Sequence, residues 1–146
     1  MNDAQQKQGQ TRLLLNIVMI ILETIYSFVL KHDRVVRLQA KTFVAQQITI
    51  KVNSYIPYFD FYIQFTDRGI LFDLHPFEKD VDLTASSTLL DLIQIFVFAN
   101  RRSMKKMRLE GSADLKDQFR DLVIHLTAPK LLSDWKHWLT HPDDDN

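Results

Sequence analysis

The chain has no cysteine, only three glycines and four prolines, and no net charge, and each shortage removes a class of protein. Without cysteine there is no disulfide framework, no thiol nucleophile and no thiolate metal site, which suits a reducing compartment. So few glycines leave no glycine-rich turn to cradle a phosphate, and little room for long loops. Eighteen basic side chains balance eighteen acidic ones, so the molecule as a whole projects no field toward nucleic acid. No G-x-S-x-G elbow occurs, and nothing in the order of Ser, His and Asp fixes a triad. At 146 residues the length is that of one domain, enough to bury about two thirds of its unfolded surface.

Apolar side chains are what the chain has in quantity, ten of them Phe, and they fall at two periods. Between residues 48 and 85 the period is two. Phe59, Phe61, Ile63 and Phe65 alternate with polar or amphipathic neighbours, Ile48, Ile50 and Val52 with Thr49, Lys51 and Asn53, and Ile70, Phe72 and Leu74 with Leu71, Asp73 and His75. Val81 and Leu83 then alternate with Asp82 and Thr84. This pattern predicts strands with one apolar face and one wet face. Short turns, Tyr55-Ile56-Pro57 and Asp67-Arg68-Gly69, make the connections hairpins and the pairing antiparallel. Residues 107–110, ending at Gly111, supply a fifth strand.

Elsewhere the period is helical. All but four of residues 13–30 are apolar, which at first sight reads as a membrane span or a signal peptide. The four exceptions, Asn16, Glu23, Thr24 and Ser27, share one narrow arc at 100° per residue, with Arg12 and Lys31 beside it and only Ile20 breaking it. An amphipathic helix with a very wide apolar face is therefore expected, and no small-residue cleavage site follows. Asp33 is placed to cap a second helix, with Val35, Val36, Leu38 and Phe43 inward. Ser86-Ser87 offers a cap for a helix over 88–100 that is apolar almost all round, and Ser112 caps another carrying Leu115, Phe119, Leu122, Val123 and Leu126. A last helix is expected over 130–140. Residues 1–11 read as a disordered lead-in and 143–146 as a solvated acidic tail.

Several of these stretches also resemble the sterol-carrier-protein family of lipid-binding domains, and within it the bacterial ubiquinone-biosynthesis accessory factors. The resemblance rests on Val81-Asp82-Leu83-Thr84 followed by Ser87-Thr88-Leu89-Leu90, on residues 107–113 with Leu115, and on Leu132-Ser133-Asp134-Trp135-Lys136-His137-Trp138-Leu139. Leu14-Leu15-Asn16 and residues 37–41 also fit, so one such domain spans 12–142. Family members commonly carry Gly-Asp where this chain has Gly111-Ser112. The accessory factors usually continue into a C-terminal coiled-coil-like extension for partner binding, which the sequence to Asn146 does not include.

The resemblance implies an α+β fold, a five-stranded mainly antiparallel sheet with helices over one face and a hydrophobic cavity between. It implies a protein that is not an enzyme and needs no cofactor. Its ligand is a polyprenylated quinone precursor or another lipid, and its partners are the enzymes of ubiquinone biosynthesis. The place implied is the cytoplasm, at the periphery of the inner membrane. The lipid-binding candidates are Phe59, Phe61, Ile63, Phe65 and Phe72 on the sheet and Leu92, Phe96, Phe119, Leu122 and Leu126 on the helices. From the residues alone these either line a tunnel or fill a core, and a structural adaptor docking a protein through its apolar helix is the alternative function.

Five basic residues in nine, over 100–108, follow directly on Phe96-Val97-Phe98. Phe98 with Arg101, Arg102, Lys105 and Lys106 suits an anionic membrane surface, and equally a solvated loop. His137 and His141 stand four apart, but Pro142 and the nearby chain end make a rigid metal site there the poorer reading. Glu23 and Asp60 are expected to face solvent.

Overall fold

The computed structural model describes residues 2–98 and 100–125, with side chains at 9–95 and 100–123. The expected last helix, the acidic tail and the His137–His141 pair lie outside the described residues. In chain order the elements are α1 (Asn2–His32), α2 (Arg34–Ala45), β1 (Thr49–Tyr55), β2 (Phe59–Thr66), β3 (Gly69–Asp73), β4 (Leu83–Thr88), α3 (Leu89–Phe98), α4 (Arg101–Lys106), β5 (Arg108–Glu110) and α5 (Ala113–His125).

The sheet runs β3-β2-β1-β4-β5. Hairpins pair β1 with β2 and β2 with β3 antiparallel, β4 with β5 is antiparallel, and β1 with β4 is parallel. The register sets Val52 opposite Phe61 and Ala85, and Ile63 opposite Ile50 and Phe72. Apart from Val81, which precedes β4 and is exposed, the period-two residues therefore share one face, and they form or pack against the core with Val36, Ala40 and Phe43 of α2 and Phe119, Leu122 and Val123 of α5. On the other face polar side chains pair across strands, Gln64 donating to the Thr49 hydroxyl at 3.1 Å and Asn53 to that of Ser86 at 3.2 Å.

Several ends fall where the sequence places them. The Asp33 carboxylate accepts from the Val35 and Val36 amides and caps α2, and the Ser112 hydroxyl accepts from Leu115. Gly69 turns the β2–β3 hairpin at φ 145°. Gly111 fits because a Cβ there would meet Leu83 Cδ1 at 2.9 Å.

Four expectations change. Residues 2–11, expected as a disordered lead-in, are the first turns of α1. Ala, Gln and Lys are good helix formers, and a nucleated helix extends readily through them. Ser86 and Ser87 belong to β4, and the cap of α3 is one residue on, where the Thr88 hydroxyl accepts from the Asp91 amide at 3.1 Å. Parallel pairing with β1 carries the strand through both serines. Arg101–Lys106 is a helix capped by Asn100. Val35 and Leu38 of α2 are exposed, and Val36, Ala40 and Phe43 make its inner side.

Candidate functional site

The helix α1 lies along β3, an edge strand whose outer amides would otherwise be unpaired. The Ser27 hydroxyl accepts from the Ile70 amide at 2.9 Å and donates to the Ile70 carbonyl at 3.1 Å. A Glu23 carboxylate oxygen accepts from the Phe72 amide at 3.0 Å. So Glu23, expected to face solvent, is a cap on the sheet edge. Periodicity shows that the polar residues share a side; it does not show that a strand edge is the polar partner.

With that stripe turned toward β3, α1 buries Met19, Tyr26, Val29 and Leu30 and leaves Leu13, Leu14, Ile17, Val18, Ile20 and Ile21 exposed. By length and composition Gly9–His32 would also cross a bilayer. Its C-terminal half is instead built into the core, where burial pushes the Tyr26 phenol far above its usual pKa.

Between sheet and helices the lipid-binding candidates meet as core. Tyr26 stacks on Phe72 at 5.5 Å, Phe72 on Phe61 at 6.4 Å and Phe61 on Phe59 at 6.3 Å, while Phe43 meets Phe65 edge-on at 5.1 Å. Ile63, Phe65, Phe72, Phe119 and Leu122 surround a void of about 20 Å³, room for about one water. Among the described residues, stacked aromatic rings fill the space between the layers at these positions. Leu92 is buried on α3. The Phe96 side chain and Leu126 lie outside what is described.

Phe59 is different. It is half-buried and ends the ring stack at a groove of about 980 Å³. Leu15, Tyr58, Tyr62, Leu74 and Leu89 line the same groove between the N-terminal half of α1, the β1–β2 turn and the start of α3. Arg12 stands at its rim and donates to His75 Nε2 at 3.0 Å. Nearby surfaces are apolar as well: Ile56 and Tyr58 on the turn are 75% and 80% exposed, and Leu90 and Ile93 on α3 face outward. Strand alternation placed Leu74 on the apolar face, just past the end of β3, but could not mark Tyr58 or Leu89, which lie outside the strands. Ser54, buried on the core face in register with Phe59 and Ser87, has no hydrogen-bond partner for its hydroxyl among the described residues.

The α4 residues Arg101, Arg102, Lys105 and Lys106 are exposed. The Phe98 side chain lies outside the described set. Among the described residues no three His, Cys, Asp or Glu gather as a metal site.

Helices packed over one face of a β3-β2-β1-β4-β5 sheet make this a sterol-carrier-protein-like fold. In particular, the chain superposes on a solved UbiJ-SCP2 ubiquinone synthesis protein with a TM-score of 0.61 at 12% identity, covering 75% of this chain and 96% of that one. Sterol carrier protein 2 from Yarrowia lipolytica, in its apo form, aligns at TM-score 0.48 and 13% identity over 73% of this chain and 89% of that one. A sec-alkylsulfatase from Pseudomonas sp. aligns at 0.42 and 12% identity over 57% of this chain and 13% of that one. No family model matches the sequence, and no curated protein matches it.

Proposed function

We propose that the protein is a non-catalytic lipid-binding accessory factor of ubiquinone synthesis, holding the polyprenyl tail of a quinone precursor while its head is presented to the biosynthetic enzymes. Its place is the cytoplasm, at the periphery of the inner membrane. The observation that carries this reading is the apolar groove of about 980 Å³ at the end of the aromatic stack, in a fold shared with a ubiquinone synthesis protein. The mechanism is solvation. Apolar surface taken out of water contributes about 25 cal/mol per Å², so about 200 Å² of covered tail is worth about 5 kcal/mol before the costs of binding.

The test is native mass spectrometry of the gently purified chain, followed by extraction and identification of bound lipid. A polyprenylphenol or quinone-like lipid near one per chain is the expected result, lost in Phe59→Asp and Leu15→Asp while the circular dichroism melt holds. Phe61→Asp is a poor probe, because Phe61 is buried within the stack and a carboxylate there is expected to unfold the chain.

A second reading is favoured by the tight ring packing among the described core residues: a structural adaptor that docks a protein through exposed Leu90 and Ile93 of α3. An empty chain that takes up no such lipid on titration, yet forms a stoichiometric complex with a biosynthetic enzyme, selects it.

A further inference from the structure

Toward the other end of α1 from the apolar groove, a second groove of about 1050 Å³ opens between the end of α1, α2 and the β2–β3 turn. Its charge is one-sided. Lys31, Arg37, Lys41 and Arg68 line it against the single carboxylate of Asp67, in a chain whose overall charge is zero. Among the described residues Lys31, Lys41 and Arg68 have no ion-pair partner. Arg37 donates to the Lys31 carbonyl at 2.6 Å and ties α2 to the end of α1.

The neutral hydroxyls of the groove are already committed to backbone. Thr24 donates to the Ile20 carbonyl, Ser27 serves Ile70, and Thr66 donates to the Gly69 carbonyl. The donors left for a ligand are therefore cationic, which selects an anionic acceptor. Phe28, Leu30 and Val44 add an apolar wall. Ligand clefts begin at about 300 Å³, so this one exceeds what a bare ion fills.

A path for hydrocarbon leads out of it. Leu14, Ile17, Ile21 and Phe28 are spaced three, four and seven apart and so share one side of α1. The first three are 61%, 44% and 49% exposed, and Phe28 lines the groove. At 1.5 Å per residue this ridge is about 20 Å long.

We propose that this groove is a site for the anionic head group of a membrane lipid, a phosphate or carboxylate held by Lys31, Lys41 and Arg68, with hydrocarbon along Leu14, Ile17 and Ile21. The site is separate from the groove at Phe59 and stands or falls independently of it.

The experiment measures co-sedimentation of the full chain with vesicles of phosphatidylcholine alone and with a third of that lipid replaced by phosphatidylglycerol, alongside titration with inorganic phosphate. The expected result is binding to the anionic vesicles only. Lys41→Glu with Arg68→Glu, both exposed positions, weakens it by roughly tenfold or more, and Ile17→Ser with Ile21→Ser weakens it with the charge intact. Loading of a polyprenylphenol at the Phe59 groove is unchanged in the charge-reversed pair, which separates the two sites. Equal binding to neutral vesicles overturns the proposal. So does phosphate binding without vesicle binding, or a loss produced by Lys105→Glu with Lys106→Glu on α4 while the groove pair binds normally.

Discussion

A single hydroxyl does the work of a missing strand. Ser27 both accepts from and donates to Ile70, and Glu23 takes the next outward amide, so the exposed edge of β3 is satisfied by two side chains of a helix. Gly69 makes the approach possible, since a Cβ there would stand 2.6 Å from the Ser27 oxygen. Ser27→Ala should therefore cost about 1–3 kcal/mol, the price of leaving a part-buried amide unsatisfied, read from urea unfolding; a loss below about 0.5 kcal/mol would show that water replaces the hydroxyl. Tyr26 sets an alkaline limit. Its buried phenol keeps its proton at a pH where the unfolded chain has released it, so folding stability present below the ordinary value of 10.0 declines as pH rises above it. Tyr26→Phe should flatten that decline in melts recorded from pH 9 to about 11.

Among elements, α1 is apolar on both flanks of its polar stripe, and burial differs along its length. Its core side packs under the sheet and its outer side does not, so substitutions of similar chemistry should diverge. Leu14→Ser, at an exposed position, should change stability by no more than about 0.5 kcal/mol, whereas Leu122→Ala on α5, fully buried beside the ring stack, should cost about 2–5 kcal/mol. Equal losses in equilibrium denaturation would mean that the outer side of α1 is covered in solution. Caps were legible where one polar side chain meets one helix start, as at Asp33 and Ser112. At Ser86-Ser87-Thr88 three hydroxyl residues compete for that role, and only the ladder to β1 decides among them. The basic stretch at 101–106 folded as a helix because Asn100 caps it and Ser103 donates to Asp91 of α3 at 3.0 Å.

At the scale of the molecule, two large grooves lie toward the two ends of α1, while among the described residues aromatic rings pack the space between sheet and helices. A ligand that enters either groove binds the native state and should stabilise it by mass action. At a hundredfold excess over Kd the gain is about 2.7 kcal/mol, or roughly 5–10 °C in Tm for a chain of this length. A melt with a polyprenylphenol delivered in mild detergent checks this, with detergent alone as the baseline, and an unmoved transition counts against a lipid in the groove. Alternation and helical spacing determined the strands, most of the helices and the apolar face of the sheet, because those patterns report which side of an element avoids water, and the fold class followed from the family resemblance. Only the tertiary structure decided that β4 runs parallel to β1, that the polar stripe of α1 seals a sheet edge, and that Phe61, Phe65 and Phe72 fill a core while Phe59 opens on a groove. The physical reason is that a residue's aversion to water is local, whereas what it packs against, and how much space remains between layers, depends on residues far along the chain.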